Sequence, residues 1–211
     1  MSRAKDRIKS RSLKRDVSEG KTRNARPGLY VIFVDAEKTE RNYFSGLSQR
    51  KGCPVTVRLE KIRKIENAIN EIQIKEKNLR PYKSIWLVFD RDEVAQFDQI
   101  ISEAEKLRYC VGWSNPCFEI WLHAYFGKMP PAATSIDCVN KVKRELKRKT
   151  EQEYKKNDPK IFDLVEKHGD FDVARETARK AMLAVKDVSS KPSKQSPATT
   201  VYELVEKLRG L

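Results

Sequence analysis

Tyr30-Val31-Ile32-Phe33-Val34 runs straight into Asp35-Ala36-Glu37-Lys38-Thr39-Glu40, and Ile85-Trp86-Leu87-Val88-Phe89 runs into Asp90-Arg91-Asp92-Glu93. An unbroken apolar run of about five residues reads as a strand buried on both faces, as in a parallel sheet covered by helices. Open sheets of that kind place their chemistry outside the carboxyl ends of the strands. Both acidic clusters therefore fall on the expected active edge, where gathered carboxylates can hold a metal.

Outward from these two strands the pattern alternates. Pro27-Gly28 breaks the chain before the first strand. Thr39 is placed to cap a helix that buries Tyr43, Phe44 and Leu47. Residues 55–59 supply a second strand, and Ile65, Ala68, Ile69 and Ile72 stand at i, i+3, i+4 and i+7, an amphipathic helical stripe. Beyond Pro81 and the Ile85 strand, Phe97, Ile100, Ile101, Ala104 and Leu107 form another such stripe. A short strand over 109–113 ends at Ser114-Asn115-Pro116, and a helix carrying Phe118, Ile120, Trp121, Leu122 and Tyr125 follows.

From Ser135 the pattern is helical and charged, with helices expected near 135–150, 160–167 and 171–186 and no convincing strand. A Ser, Lys and Pro-rich link over 186–197 leads to a helix at 199–208 whose Val201, Leu204, Val205 and Leu208 make one stripe. This order predicts an α/β fold: an open, mostly parallel sheet flanked by helices, with a helical C-terminal extension. The expected division is a basic, flexible arm over 1–27, an α/β core over 28–130, and a helical extension over 131–211 packing on that core.

The formal charge of the 211 residues is +14, and it is uneven. Residues 1–26 hold ten Lys or Arg, among them Arg7, Arg11, Lys14 and Arg15, against three acids. Residues 141–160 hold nine, Lys143 and Arg144 among them, against four. Polyanions are the natural partners, because Lys and Arg that displace counterions from phosphates gain affinity without sequence readout. The arm's low apolar content favours disorder in isolation and ordering on a polyanion. Charged helix faces are also commonly just solvated, so the 141–160 stretch reads either way.

Cys53, Cys110, Cys117 and Cys138 lack C-x-x-C spacing, and His123 and His168 have no neighbour at ligand spacing, which argues against a zinc site. No apolar run approaches the 18 or so residues that span a bilayer, and the N-terminus carries no apolar signal core. The expectation is a reduced, cytoplasmic protein with no membrane partner.

In Asp90-x-Asp92 the carboxylates are two apart, so on an extended backbone they point the same way and Arg91 the other. Two like charges held close repel, and a hard divalent cation such as Mg²⁺ (or Mn²⁺) relieves this while still accepting a phosphate oxygen. Such an ion would polarise the phosphoryl group, with Asp35 or Glu37 on the neighbouring strand end as general base or ligand of a second metal. Equally, an Asp at a strand end commonly caps a helix or makes an Asx turn. Glu119 reads either as an interior acid aimed at the same cleft or as an exposed residue favoured by a helix dipole. Lys38 reads as a phosphate contact or a solvated lysine, and His123 as a half-buried helix residue.

Four pieces of the chain together resemble the RloB-like family of bacterial restriction-modification and abortive-infection loci. They are the segment from Val34 to Phe44, Val88-Phe89-Asp90-Arg91-Asp92-Glu93, the segment from Trp113 to Leu122 with its Ser-Asn-Pro-x-Phe-Glu element, and Ser196-Pro197-Ala198-Thr199-Thr200-Val201. The resemblance covers residues 30–205. It implies a Toprim-type fold whose Mg²⁺ centre uses an acid after the first strand and an Asp-x-Asp after a later one, for cleavage or transfer at phosphodiesters. Asp90 and Asp92 match that pattern, which makes Asp35, Glu37, Asp90 and Asp92 the expected catalytic residues and Asp35, Asp90, Asp92 and Glu119 the expected metal ligands. Where the family usually reads Glu-Gly-Glu-Lys-Thr-Glu, this chain has Asp35-Ala36. The acid is one methylene shorter, and Ala36 lacks glycine's tolerance of positive φ. Either the backbone compensates, Glu37 takes over, or the centre is weakened.

The function implied is a metal-dependent nuclease or nuclease-like effector of phage defence, acting on RNA (tRNA among the candidates) or DNA and kept silent by an ATPase partner of the AAA or ABC type. Two other classes stay open: a non-catalytic nucleic-acid-binding subunit and a primase-like nucleotidyl transferase.

Overall fold

The computed structural model describes residues 29–35, 39–51, 53, 56–78, 82–92, 94–131, 134–151 and 153–210. The basic arm with Arg7, Arg11, Lys14 and Arg15, and the pair Glu37 and Lys38, lie outside the described residues.

Five strands form one sheet: β1 (Leu29–Val34), β2 (Thr56–Lys61), β3 (Ser84–Asp90), β4 (Cys110–Asn115) and β5 (Ala198–Thr199), in the order β2-β1-β3-β4-β5. The first four are mutually parallel, with Val34 level with Val88 and Asp90 level with Ser114, as the apolar runs predict. The helices are α1 (Thr39–Gln49), α2 (Ala68–Glu76), α3 (Phe97–Lys106), α4 (Glu119–Ala124), α5 (Ser135–Thr150), α6 (Ile161–His168), α7 (Phe171–Lys186) and α8 (Val201–Arg209). Each lies close to where its apolar stripe places it. Among the described residues no helix is long and apolar enough to cross a membrane.

Side-chain alternation divides the core in two. Tyr30, Ile32 and Val34 of β1 and Trp86 and Val88 of β3 join the cluster built with α1, α4, α5, α6 and α8. Val31 and Phe33, with Ile85, Leu87 and Phe89, join the opposite cluster, built mainly with α2 and α3. The first face is aromatic: Tyr43, Phe44, Phe118, Trp121 and Tyr125 are at most 1 % exposed and meet edge to face.

The strand missed by pattern is β5. Residues 198–199 pair antiparallel with β4, Ser114 opposite Thr199 and Asn115 opposite Ala198. Two residues are too few to show a period. Hydroxyls fasten the strand: Thr199 Oγ1 donates to the Trp113 carbonyl (2.9 Å), and the Trp113 amide donates to Thr200 Oγ1 (3.0 Å). The last residues of the chain thereby reach the end of β4, and Val201, Leu204, Val205 and Leu208 of α8 are fully buried beneath.

The topology fixes where chemistry is expected. From β1 the chain turns one way to β2 and then crosses back to β3 on the other side. The carboxyl ends of β1 and β3 thus flank the point where strand order reverses, and open α/β sheets bind ligands in the crevice there.

Candidate active site

At that crevice three carboxylates converge from three elements: Glu40 in the first turn of α1, Asp90 as the last residue of β3, and Glu119 as the first of α4. Glu40 is 6 % exposed and Glu119 2 %. Asp90 follows Val88 by two residues and so points to the α1/α4 face. Its Oδ1 is buried with no hydrogen-bond partner among the described residues.

Burial dominates the electrostatics. It pushes the Glu40 carboxyl up from 4.5 to about 7, with the charge of Glu119 adding to the rise and a hydrogen bond to Asp90 offsetting part of it. Asp90 is raised well above the usual carboxylate range by desolvation first and by Glu40 and Glu119 next, although the Phe118 amide donates to it. The group has too much negative charge for so little solvent.

Among the described residues one cation stands against it. Lys156 Nζ is 3.8 Å from Glu119 Oε1. Desolvation depresses this lysine, but Glu119, Asp90 and Glu40 outweigh that and hold it above its ordinary value. Tyr154 from the same loop donates to Glu119 Oε1 at 2.7 Å. Thr39 Oγ1 lies 2.9 Å from Tyr154 Oη and donates to the Lys156 carbonyl at 3.0 Å. The hydroxyl expected to cap α1 thus stitches the 153–156 loop over the acids.

Asp35 and Asp92 are not brought into this group. Asp35 lies just past the end of β1 at Val34, and its charged neighbours are Glu66 and Lys61 on the α2 side of the sheet, not Glu40, Asp90 or Glu119. There burial and Glu66 raise its carboxyl and Lys61 opposes them. The Asp-x-Asp expectation required an extended backbone, and β3 ends at Asp90. The Arg91 amide donates to Ser114 O (2.8 Å) and the Asp92 amide to Pro116 O (3.1 Å), turning the chain toward β4. The exposed Asp92 carboxylate then accepts from Ser135 Oγ at 2.8 Å. Glu119 takes the interior alternative. His123, read as half-buried, is buried, and burial lowers it. Lys143 and Arg144 are exposed on α5. All four cysteines are free.

Glu40 was missed by sequence reasoning, yet its signal was present. Residues 40, 43, 44 and 47 share one helical stripe, so an acid at 40 rides on the face that buries Tyr43, Phe44 and Leu47. Tyr154 and Lys156 carried no comparable signal, since they sit in a non-helical loop inside a basic stretch.

Among the described residues no group of three or more His, Cys, Asp or Glu stands as a preformed metal cage. The donor set is nevertheless all oxygen, it includes a buried carboxylate oxygen without a partner, and its members raise one another. Those properties suit a hard divalent cation. A family model described as RloB-like protein matches residues 30–208. No curated protein and no solved structure matches the chain at a significant level.

Proposed function

The chain belongs to the RloB-like family, and from that premise we propose that it is a Toprim-type, Mg²⁺- or Mn²⁺-dependent nuclease of bacterial phage defence, with Glu40, Asp90 and Glu119 as its centre. The observation that carries the proposal is the convergence of three carboxylates at the strand-order reversal, with one buried oxygen that has no hydrogen-bond partner among the described residues.

Asp90 and Glu119 would hold the ion, which when bound would polarise the phosphoryl oxygen of a phosphodiester. Glu40, whose carboxyl is raised by burial in the metal-free protein, would accept a proton from the attacking water. Tyr154 fixes Glu119 through Oε1. Lys156 is half exposed beside Glu119 and is placed to meet a phosphate oxygen. The basic arm and the Lys143–Arg144 pair would supply sequence-independent attraction to RNA or DNA. Family membership also favours a regulatory ATPase partner.

One observation favours a second reading. The Lys156 ammonium already neutralises part of the cluster, as in a subunit that binds nucleic acid without cleaving it. Labelled tRNA, single-stranded RNA and duplex DNA incubated with Mg²⁺, Mn²⁺ or EDTA separate the two. Metal-dependent products that vanish in Asp90→Asn support the nuclease, whereas binding that survives Asp90→Asn, with no products from any substrate, supports the binding subunit.

A further inference from the structure

The carboxyl ends of β3 and β4 and the first turns of α5 enclose a pocket of about 800 Å³, within the size range of small-molecule sites. Lys156 belongs both to this pocket and to the acid site, with Nζ 3.8 Å from Glu119 Oε1. Whatever fills the pocket therefore meets Lys156, the same lysine that faces Glu119 of the acid site.

The walls sort into fixed and free groups. The Arg91 guanidinium donates to the carbonyls of Asp92 and Val94, and the Asn115 amide to those of Pro192 and Ser193. Asp92, the one carboxylate on the wall among the described residues, is engaged by Ser135. In contrast, Lys143 and Asn140 are exposed, and no hydrogen bond or ion pair to their side chains occurs among the described residues. Ile136, in the first turn of α5, is 74 % exposed at the same pocket. The helix is anchored there independently of Ile136, because the Asp137 amide donates to the Thr134 side chain (3.1 Å).

A single exposed isoleucine is ordinary. Next to two ammonium groups and an unengaged amide it makes a mixed surface: charge for a phosphate, an apolar face for a ring, a donor and acceptor for a ring edge. A paired base has its edge occupied and both faces stacked, so it cannot use such a surface without leaving the duplex.

Building on the nuclease reading, we infer that this pocket takes one unpaired nucleotide of the substrate strand, its phosphate at Lys143 and Lys156, its base over Ile136 and its edge at Asn140. The substrate class is then single-stranded nucleic acid, or a loop or extruded nucleotide, and not an intact duplex.

Calorimetry on the full chain in EDTA, with the four nucleoside 5′-monophosphates, the nucleosides and inorganic phosphate as probes, tests this. At least one monophosphate binds tenfold or more tighter than phosphate or its nucleoside. Ile136→Ser weakens that monophosphate at least fivefold and leaves phosphate unchanged, while Lys143→Ala weakens both. A single-stranded oligonucleotide displaces the monophosphate, and a blunt duplex of equal length displaces it at least tenfold less well. Monophosphate binding no tighter than phosphate, an unaltered Ile136→Ser variant, or equal displacement by the duplex would overturn the inference. Both side chains are exposed, so the fold is not at risk. Binding is read without metal or turnover, so failed cleavage and a failed pocket are separate results.

Discussion

Asp35 follows the last residue of β1 and Asp90 closes β3, its parallel neighbour, yet the two acids meet different surroundings. Asp35 leaves the sheet toward α2 and α3, where Lys61 and Glu66 are its charged neighbours. Asp90 leaves toward α1 and α4 and joins Glu40 and Glu119. In a sheet covered on both faces, being at the active edge is not enough. Where the strand ends, and the side on which its acid leaves, decide which carboxylate meets which helix.

The sharpest way to break this contrast is to neutralise each strand-end acid in turn. Asp90→Asn should lower metal-dependent cleavage by about 1,000-fold, in the range lost when a metal or acid–base group is removed. Asp35→Asn should leave it within about threefold, because only weak long-range charge is lost. Equal losses, measured on the same labelled substrate, would dissolve the distinction between the two strand ends.

Glu40→Gln comes next, with an expected fall of about 100-fold, typical of a lost general base. A rise of rate with pH that depends on this base should disappear with it. A retained rise would transfer the proton-accepting role elsewhere.

The same carboxyl links stability to pH. Its folded value of about 7 exceeds the ordinary 4.5, so between these values the native state holds a proton that the unfolded state releases. Stability is therefore full below about 4.5 and falls as pH rises through about 7. Denaturant unfolding without divalent cation should show a loss approaching, on the order of, 3 kcal/mol between pH 4.5 and 8, reduced in Glu40→Gln. A pH profile of stability left unchanged by Glu40→Gln would contradict the burial of Glu40. Asp35, raised by burial and Glu66 against Lys61, contributes to the slope in the same direction.

The smallest expected effect concerns the seat of α1. A Cβ on Gly46 would stand 2.6 Å from Phe162 Cβ on α6. Gly46→Ala should cost about 1 to 2 kcal/mol through overpacking, measured by thermal unfolding. It should lower cleavage by shifting Glu40 while leaving the α2/α3 face unaffected.

Much of this was legible in the sequence. The two five-residue apolar runs announced central parallel strands, and the helical stripes at 65–72, 97–107 and 201–208 announced the layers around them. The acidic edge was legible as a place, though not as a set of partners. Glu40 rides on an apolar stripe and was within reach of pattern. The turn at Arg91 that sends Asp92 to Ser135 depends on hydrogen bonds to β4, a tertiary fact. Tyr154 and Lys156 arrive from 114 and 116 residues beyond Glu40 through a loop without periodicity, and β5 is two residues long. Side-chain parity across a two-faced sheet is readable only once strand ends are known to a single residue, the least certain quantity in any sequence pattern.

The most direct test of the central claim is to locate Mn²⁺ in crystals of the protein by its anomalous scattering. The account predicts a peak bounded by Asp90 and Glu119 with Glu40 beside it. A peak at Asp35 on the α2/α3 side, or an ion shared by Asp90 and Asp92 without Glu119, would contradict it.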